Sequence, residues 1–146
     1  MTPTDATTRD TNKATLRRAM AGITALDAEA IINELDETAR FELPFEVAVP
    51  DCDRDGFLQL LSMMFVTFKQ FEITIVEILD LLDPNALVAR YHGDCVGRDK
   101  PVSYKNEYIG VFRFRDGKIT YWREYNNPEI AHAAIAQFAE DVSAHA

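Results

Sequence analysis

Ser103-Tyr-Lys-Asn-Glu-Tyr-Ile-Gly-Val-Phe-Arg-Phe-Arg115, then Asp116-Gly117, then Lys118-Ile-Thr-Tyr-Trp-Arg-Glu-Tyr125 is the stretch that decides the fold. Two runs rich in aromatic and β-branched residues flank an Asp-Gly pair, which suits a type I′ turn because both central residues take positive φ. The segment therefore predicts a hairpin of two long strands. Working upstream, Ala86–Val96 and Phe71–Leu82 have the same strand-like composition and are joined by Asp83-Pro84-Asn85, a tight turn. Together they predict an antiparallel meander of four strands.

Further upstream the period changes. Ala14, Leu16, Ala19, Met20 and Ile23 recur mostly at intervals of three or four, predicting a helix over Asp10–Ile23. Asp27 is placed to cap a second, short helix with Ala30, Ile31 and Leu35 on its apolar face. Ala39–Val49 reads as a strand in which Pro44 marks a bulge or an edge. Asp51, Asp53, Asp55 and Gly56 resemble the start of a calcium loop, but Ser62 stands where such a loop needs a bidentate glutamate. Asp53 or Asp55 instead suits the cap of a third helix, Gly56–Phe68, with Phe57, Leu60, Leu61, Met64 and Phe65 on its buried face. Downstream, Asn127 caps a last helix with Pro128 in its first position and Ile130, Ala134, Ile135 and Phe138 on its apolar side.

Helices, one strand, a helix, a long meander and a helix make an α+β order. Long twisted strands curl, so the expected architecture is a cone-shaped barrel of strongly curved, mixed but mainly antiparallel sheet, its concave face closed by the N-terminal helices around a small-molecule pocket. One domain is expected over 1–146, its core running from about 10 to 140 and residues 1–9 flexible.

The chain has 146 residues, 47% of them hydrophobic, and a net charge of −9. That charge repels a phosphate backbone and the basic residues form no stripe, which disfavours nucleic acid. The most apolar region, Gly56–Phe68, falls short of the roughly 20 residues that cross a bilayer. The N-terminal residues are too polar for a signal peptide, so a cytoplasmic location is expected. Cys52 and Cys95 show no metal-ligand spacing, and there is no phosphate-cradling glycine loop, GxGxxG or GxSxG. Neither a metal nor a cofactor is expected, and His132 and His145 stand alone near the end.

Alternation along Ala86–Val96 puts Val88, Arg90, His92 and Asp94 on one face and Leu87, Ala89, Tyr91, Gly93 and Cys95 on the other. If the first face points inward, Arg90 offers an anion holder, His92 a group titrating near neutrality and Asp94 a carboxylate to orient it; if outward, they are a solvated charged face. On the last strand Glu124 shares a face with Thr120, Asn126 and Trp122, the only tryptophan. A carboxyl against an aromatic wall has a raised pKa and suits general acid or base work, whereas an ion pair with Arg90 would make it inert. Asn106 and Tyr108 are candidates to orient a ligand, and Glu42 is a candidate second pocket carboxylate.

The segment Tyr104–Pro128, together with Ala25-Leu-Asp-Ala28 and Phe41-Glu-Leu-Pro-Phe45, resembles the SnoaL-like branch of the nuclear transport factor 2-like superfamily over residues 10 to 140. Ketosteroid isomerase-like proteins share this fold, and the phenazine-biosynthesis A/B-type proteins and limonene-epoxide hydrolases are cousins. The resemblance implies a cystatin-like cone with a deep pocket for a hydrophobic molecule and a homodimer formed through the outer face of the sheet. It implies that Glu124 is the functional acid on the last strand, with His92 as the proton partner found in the phenazine-type proteins. The hydrolases' Arg-x-Asp motif is broken here, because Arg90 is followed by His92 and Asp94 comes two residues later.

Two functions are therefore expected. In the first, an acid–base isomerase, cyclase or epoxide hydrolase uses Glu124, His92 and Arg90, with Asn106, Tyr108, Trp122, Asn126, Asp94 and Glu42 around the substrate. In the second, the pocket is a noncatalytic ligand-binding or dimerisation module.

Overall fold

Asp116 and Gly117 sit at φ 50° and 76°, and the strands they join pair from Tyr108 opposite Asn126 to Arg115 opposite Lys118. In this computed structural model, which describes residues 4–144, the hairpin is the centre of a six-stranded sheet. The elements run α1 (Asp5–Thr24), α2 (Ala28–Ile32), β1 (Leu35–Glu42), β2 (Cys52–Asp53), α3 (Arg54–Thr67), β3 (Phe68–Asp80), β4 (Ala86–Gly97), β5 (Ser103–Arg115), β6 (Lys118–Asn126) and α4 (Pro128–Ala144). The strand order is β2-β1-β6-β5-β4-β3. Only β1 beside β6 is parallel, so the sheet is mixed and mainly antiparallel.

The sheet is open and curved into a cone. Register shifts in β1 against β6, β3 against β4 and β5 against β6 mark the bulges, which bend a strand and sharpen its twist. The core lies between the concave face and the helices. Leu16, Ala19 and Met20 of α1 are buried there, and a Cβ at Gly22 would come 2.7 Å from Ile31, so the glycine lets α2 sit close against α1. Thr15 Oγ1 donates to the Gly117 carbonyl at 2.7 Å, tying α1 to the hairpin turn. At the base of the cone Phe41 stacks on Phe57 with centroids 4.1 Å apart, and both rings meet Trp122 edge-on.

The structure moves several expected boundaries. α1 begins at Asp5, because Thr4 Oγ1 accepts the Thr7 N–H at 3.1 Å and caps it, while residues 1–3 lie outside the described residues. Leu35, expected on the second helix, opens β1. The strand expected over Ala39–Val49 ends at Glu42. Pro44 cannot donate to the ladder, and the chain turns twice instead, with Glu46 N–H donating to Leu43 and Val49 N–H to Glu46, both at 3.0 Å. Asp53 caps α3 through the Gly56 N–H at 2.9 Å, and Asn127 accepts the Glu129 N–H at 3.1 Å at the start of α4. β3 starts at Phe68, directly from α3.

That direct passage leaves the last carbonyls of α3 without helical partners, and α3 has no basic residue in its last turn. Arg98, in the β4–β5 connection, supplies them: its guanidinium donates to the carbonyls of Val66, Phe65 and Phe68 at 3.3, 3.0 and 3.2 Å, and its own N–H donates to Thr67. Arg98→Met keeps the side-chain length and removes the guanidinium donors. It is expected to cost about 1–2 kcal/mol, read as a lower urea midpoint with an unchanged slope.

Candidate active site

Three adjacent strands set the geometry. On the concave face Tyr91 of β4 lies opposite Tyr108 of β5, which lies opposite Asn126 of β6; one row along, Ala89, Gly110 and Glu124 are opposite one another. Ala89 and Gly110 leave a shallow lane between Tyr91 and Glu124. The lane has no spare room, since a Cβ at Gly110 would lie 3.0 Å from the Tyr91 hydroxyl and 2.4 Å from the Phe112 ring. The Tyr91 ring leans across it and its hydroxyl donates a short hydrogen bond to Glu124 Oε1. Trp122, in the next row, donates its indole N–H to the Tyr91 oxygen at 3.3 Å, so the three side chains form a directed chain that ends at the carboxyl.

Glu124 lines a cavity of about 280 Å³. Its other walls are mostly apolar, with Ile23 from α1, Leu61 and Met64 from α3, Phe71 from β3 and Ala134 from α4. The ion pairs of the sheet leave Glu124 out: Arg90 pairs with Glu77 at 3.6 Å, and Arg123 pairs with Glu42 at 2.5 Å. Burial, only partly offset by the hydrogen bonds of Tyr91 and Trp122, raises the Glu124 carboxyl to about 7. Burial and the neighbouring Glu124 charge push the Tyr91 phenol well above its usual range, so Tyr91 stays a donor. Tyr104 and Tyr108 also line the cavity. The Tyr104 oxygen accepts from Asn106 Nδ2 at 2.7 Å and from the Tyr108 hydroxyl at 3.4 Å, which leaves the Tyr104 proton free to donate.

The residues singled out by sequence separate into two faces. Glu124, Trp122, Tyr108 and Asn126 meet in the cavity. Arg90, His92 and Asp94 do not: the inward face of β4 is the one carrying Tyr91, and Arg90 and His92 are exposed on the outer face, with Asp94 half-buried and 3.8 Å from Lys105. The reason is alternation, since the neighbours Ala89, Tyr91 and Gly93 take the core side. Glu42 is likewise outside the cavity, accepting from the Tyr121 hydroxyl at 2.6 Å and from Arg123; these bonds hold its carboxyl below its usual value. Asn106 is buried with all its bonding used internally. It donates to Tyr104 and to the Asn127 carbonyl and accepts from the N–H groups of Glu107 and Asn127, which pins β5 to the start of α4.

Sequence reading missed Tyr91 and Tyr104, tyrosines in a half-apolar alternation that core packing explains equally well. It also missed Glu46, because the strand expected there replaced the turn that directs its side chain inward.

With this geometry in hand, residues 16–122 match the family model described as a SnoaL-like domain. The uncharacterised protein YesE of Bacillus subtilis is 27% identical over 124 residues, covering 83% of this chain and 84% of YesE. Among solved structures, a candidate isomerase from Bacillus subtilis superposes with a TM-score of 0.79 at 24% identity, covering 87% of this chain and 94% of that one. A candidate polyketide cyclase from Xanthomonas campestris pv. campestris gives a TM-score of 0.76 at 19% identity, covering 88% and 98%. At such identities the superpositions speak for the fold.

The raised Glu124 carboxyl links stability to pH. Its folded pKa lies above its unfolded one, so the stability it permits is fully present below about pH 4.5 and is lost as pH rises through about 7. The loss amounts to roughly 3 kcal/mol. Glu124→Gln removes the charge and nearly keeps the shape, while the other carboxylates titrate alike in both proteins. The variant is expected to melt above the wild type at pH 8, with the difference closing toward pH 4.5; equal melting temperatures at both pH values would contradict a raised carboxyl.

Proposed function

From the premise that the chain belongs to the SnoaL-like family, we propose that its cavity is an active site in which Glu124 carries a proton between two positions of a small hydrophobic molecule, as in an isomerase or cyclase. The single observation behind this is the carboxyl itself, raised to about 7, without an ionic partner among the described residues and facing a mostly apolar cavity. Near neutral pH such a group exists in both protonation states, which is what a group that takes and returns a proton requires.

The Glu124 carboxylate takes a proton from a carbon next to a substrate carbonyl. The electron pair left on that carbon moves onto the carbonyl oxygen, where the free Tyr104 proton stabilises the charge. Tyr91, fed by Trp122, fixes the rotamer of Glu124 and stabilises its anion before the transfer. The protonated Glu124 then returns the proton at a different atom, moving a double bond or following ring closure. Water addition of the hydrolase type has less support, because Arg90 and Asp94 lie on the opposite face of the sheet from Glu124.

Exchange of the hydrogen next to the carbonyl of small cyclic enones in heavy water, followed by NMR, reads this transfer without knowledge of the natural substrate. Glu124→Gln is expected to lower the exchange rate by about 10²–10⁴-fold. Tyr91→Phe removes a hydrogen bond that lowers the Glu124 pKa, and so is expected to shift the base-dependent limb of the rate profile to higher pH. Exchange that survives in Glu124→Gln would sink the proposal, and apolar molecules that bind the wild type without exchanging would favour a binding module.

The outer face of the sheet carries exposed Val76 and Ile109 beside Arg90 and His92, an apolar patch ringed by charge that suits pairing of two copies. A homodimer through that face and a cytoplasmic location belong to the same proposal; no helix among the described residues is long and apolar enough to cross a membrane. Sedimentation at micromolar concentration is expected to give twice the 16.5 kDa chain mass, and a purely monomeric species would exclude the dimer.

A further inference from the structure

In Phe45-Glu46-Val47 the usual preference is inverted. Phe45 is 49% exposed and Val47 93%, whereas Glu46 between them is only 8% exposed. The two turns that replace the end of the expected strand swing the carboxylate inward and leave the apolar neighbours outside. Burying a carboxylate in this way costs free energy unless something binds it.

What meets Glu46 inside accounts for part of its capacity. Asn126 Nδ2 donates to Glu46 Oε1 at 3.0 Å, while Glu46 Oε2 lies 3.7 Å from His132 Nε2, beyond a hydrogen bond. A carboxylate only accepts, so the Asn126 amide must turn its NH2 toward Glu46 and its Oδ1 away. That Oδ1 is sealed from solvent and has no hydrogen-bond partner. Glu46 and Asn126 both line the cavity that holds Glu124. Asn126 Oδ1, being sealed, offers the chamber no surface, so the acceptor left for a ligand at this place in the mostly apolar chamber is Glu46 Oε2, which makes no hydrogen bond among the described residues. Asn126 is two residues beyond Glu124 on the same face of β6, which places this station roughly 7 Å along the strand from the reacting carboxyl.

We propose that Glu46, held in place by Asn126, is a second polar station whose free carboxylate oxygen binds a hydrogen-bond donor, a hydroxyl or a protonated amine, at the end of the substrate away from Glu124. The substrate class is then an apolar skeleton, long enough to span the two stations, with a carbonyl-bearing end at Glu124 and a donor end at Glu46. This rests on the cavity being the binding site proposed above, but it does not depend on turnover.

Trp122, the only tryptophan, lies in the cavity wall, so its fluorescence reports occupancy. Titrations with 3-phenylpropylamine, 3-phenylpropanol and propylbenzene compare three probes that share a skeleton. The amine and the alcohol are expected to bind at least about tenfold more tightly than propylbenzene, the margin of a hydrogen bond to a charged acceptor. Glu46→Gln is expected to remove the preference for the amine while leaving propylbenzene affinity unchanged, and Asn126→Leu to weaken alcohol and amine together. Glu124→Gln separates the two stations: preference retained in that variant assigns it to Glu46, and preference lost there assigns it to Glu124 and overturns the proposal. Equal binding of all three probes, or a preference that survives Glu46→Gln, also overturns it. A preference confined to the amine narrows the class to cations, and an equal preference for the alcohol widens it to hydroxyls. None of these outcomes depends on whether the enone exchange occurs, so this proposal and the proton-transfer proposal fail separately.

Discussion

The hydrogen bond from Tyr91 to Glu124 runs from β4 to β6 across the whole width of β5, and it exists because β5 carries Gly110 at the crossing. A side chain there would collide with the Tyr91 hydroxyl and the Phe112 ring. With the lane open, a phenol from one strand reaches a carboxyl two strands away, and Trp122 reaches the phenol. The register that aligns Ala89, Gly110 and Glu124 therefore comes before the chemistry. The hairpin turn at Asp116-Gly117 sets half of that register, and α1 holds the turn through Thr15.

Stability and function pull against each other at this point. A carboxyl in an apolar chamber costs stability whenever it ionises, and beside it Phe41, Phe57, Phe112 and Trp122 pack as an aromatic floor whose tryptophan also donates into the chain that ends at Glu124. Glu46 is a second acid lining the same chamber. Two inward acids in a cavity with mostly apolar walls are hard to explain by packing, which favours hydrophobic residues at such positions. The outer face follows the ordinary rule, with its charges paired as Arg90 with Glu77, Lys105 with Asp94 and Arg123 with Glu42. The division of labour between the faces is a consequence of strand alternation.

The α+β order, the four-strand meander, the Asp-Gly hairpin and the caps at Asp53 and Asn127 could all be read from local signals, because turn chemistry and capping depend on a few neighbouring residues. The same holds for Glu124 beside Trp122 on one face of the last strand. Alternation alone could not say which face of β4 turns inward, since a period of two defines two faces and no direction. Arg90, His92 and Asp94 are a plausible trio on paper, and the core took Tyr91 because its ring, with Ala89 and Gly93, fills the space under the helices.

The sequence by itself determined the order of the helices and the long strands of the meander, where the hairpin turns, and that a carboxyl shares a strand face with the only tryptophan. Only the tertiary structure decided that Tyr91 is the partner of that carboxyl and that Glu46 points inward. Those outcomes depend on strands and loops far apart in the chain, and on a proline whose missing N–H ends β1 before Glu46.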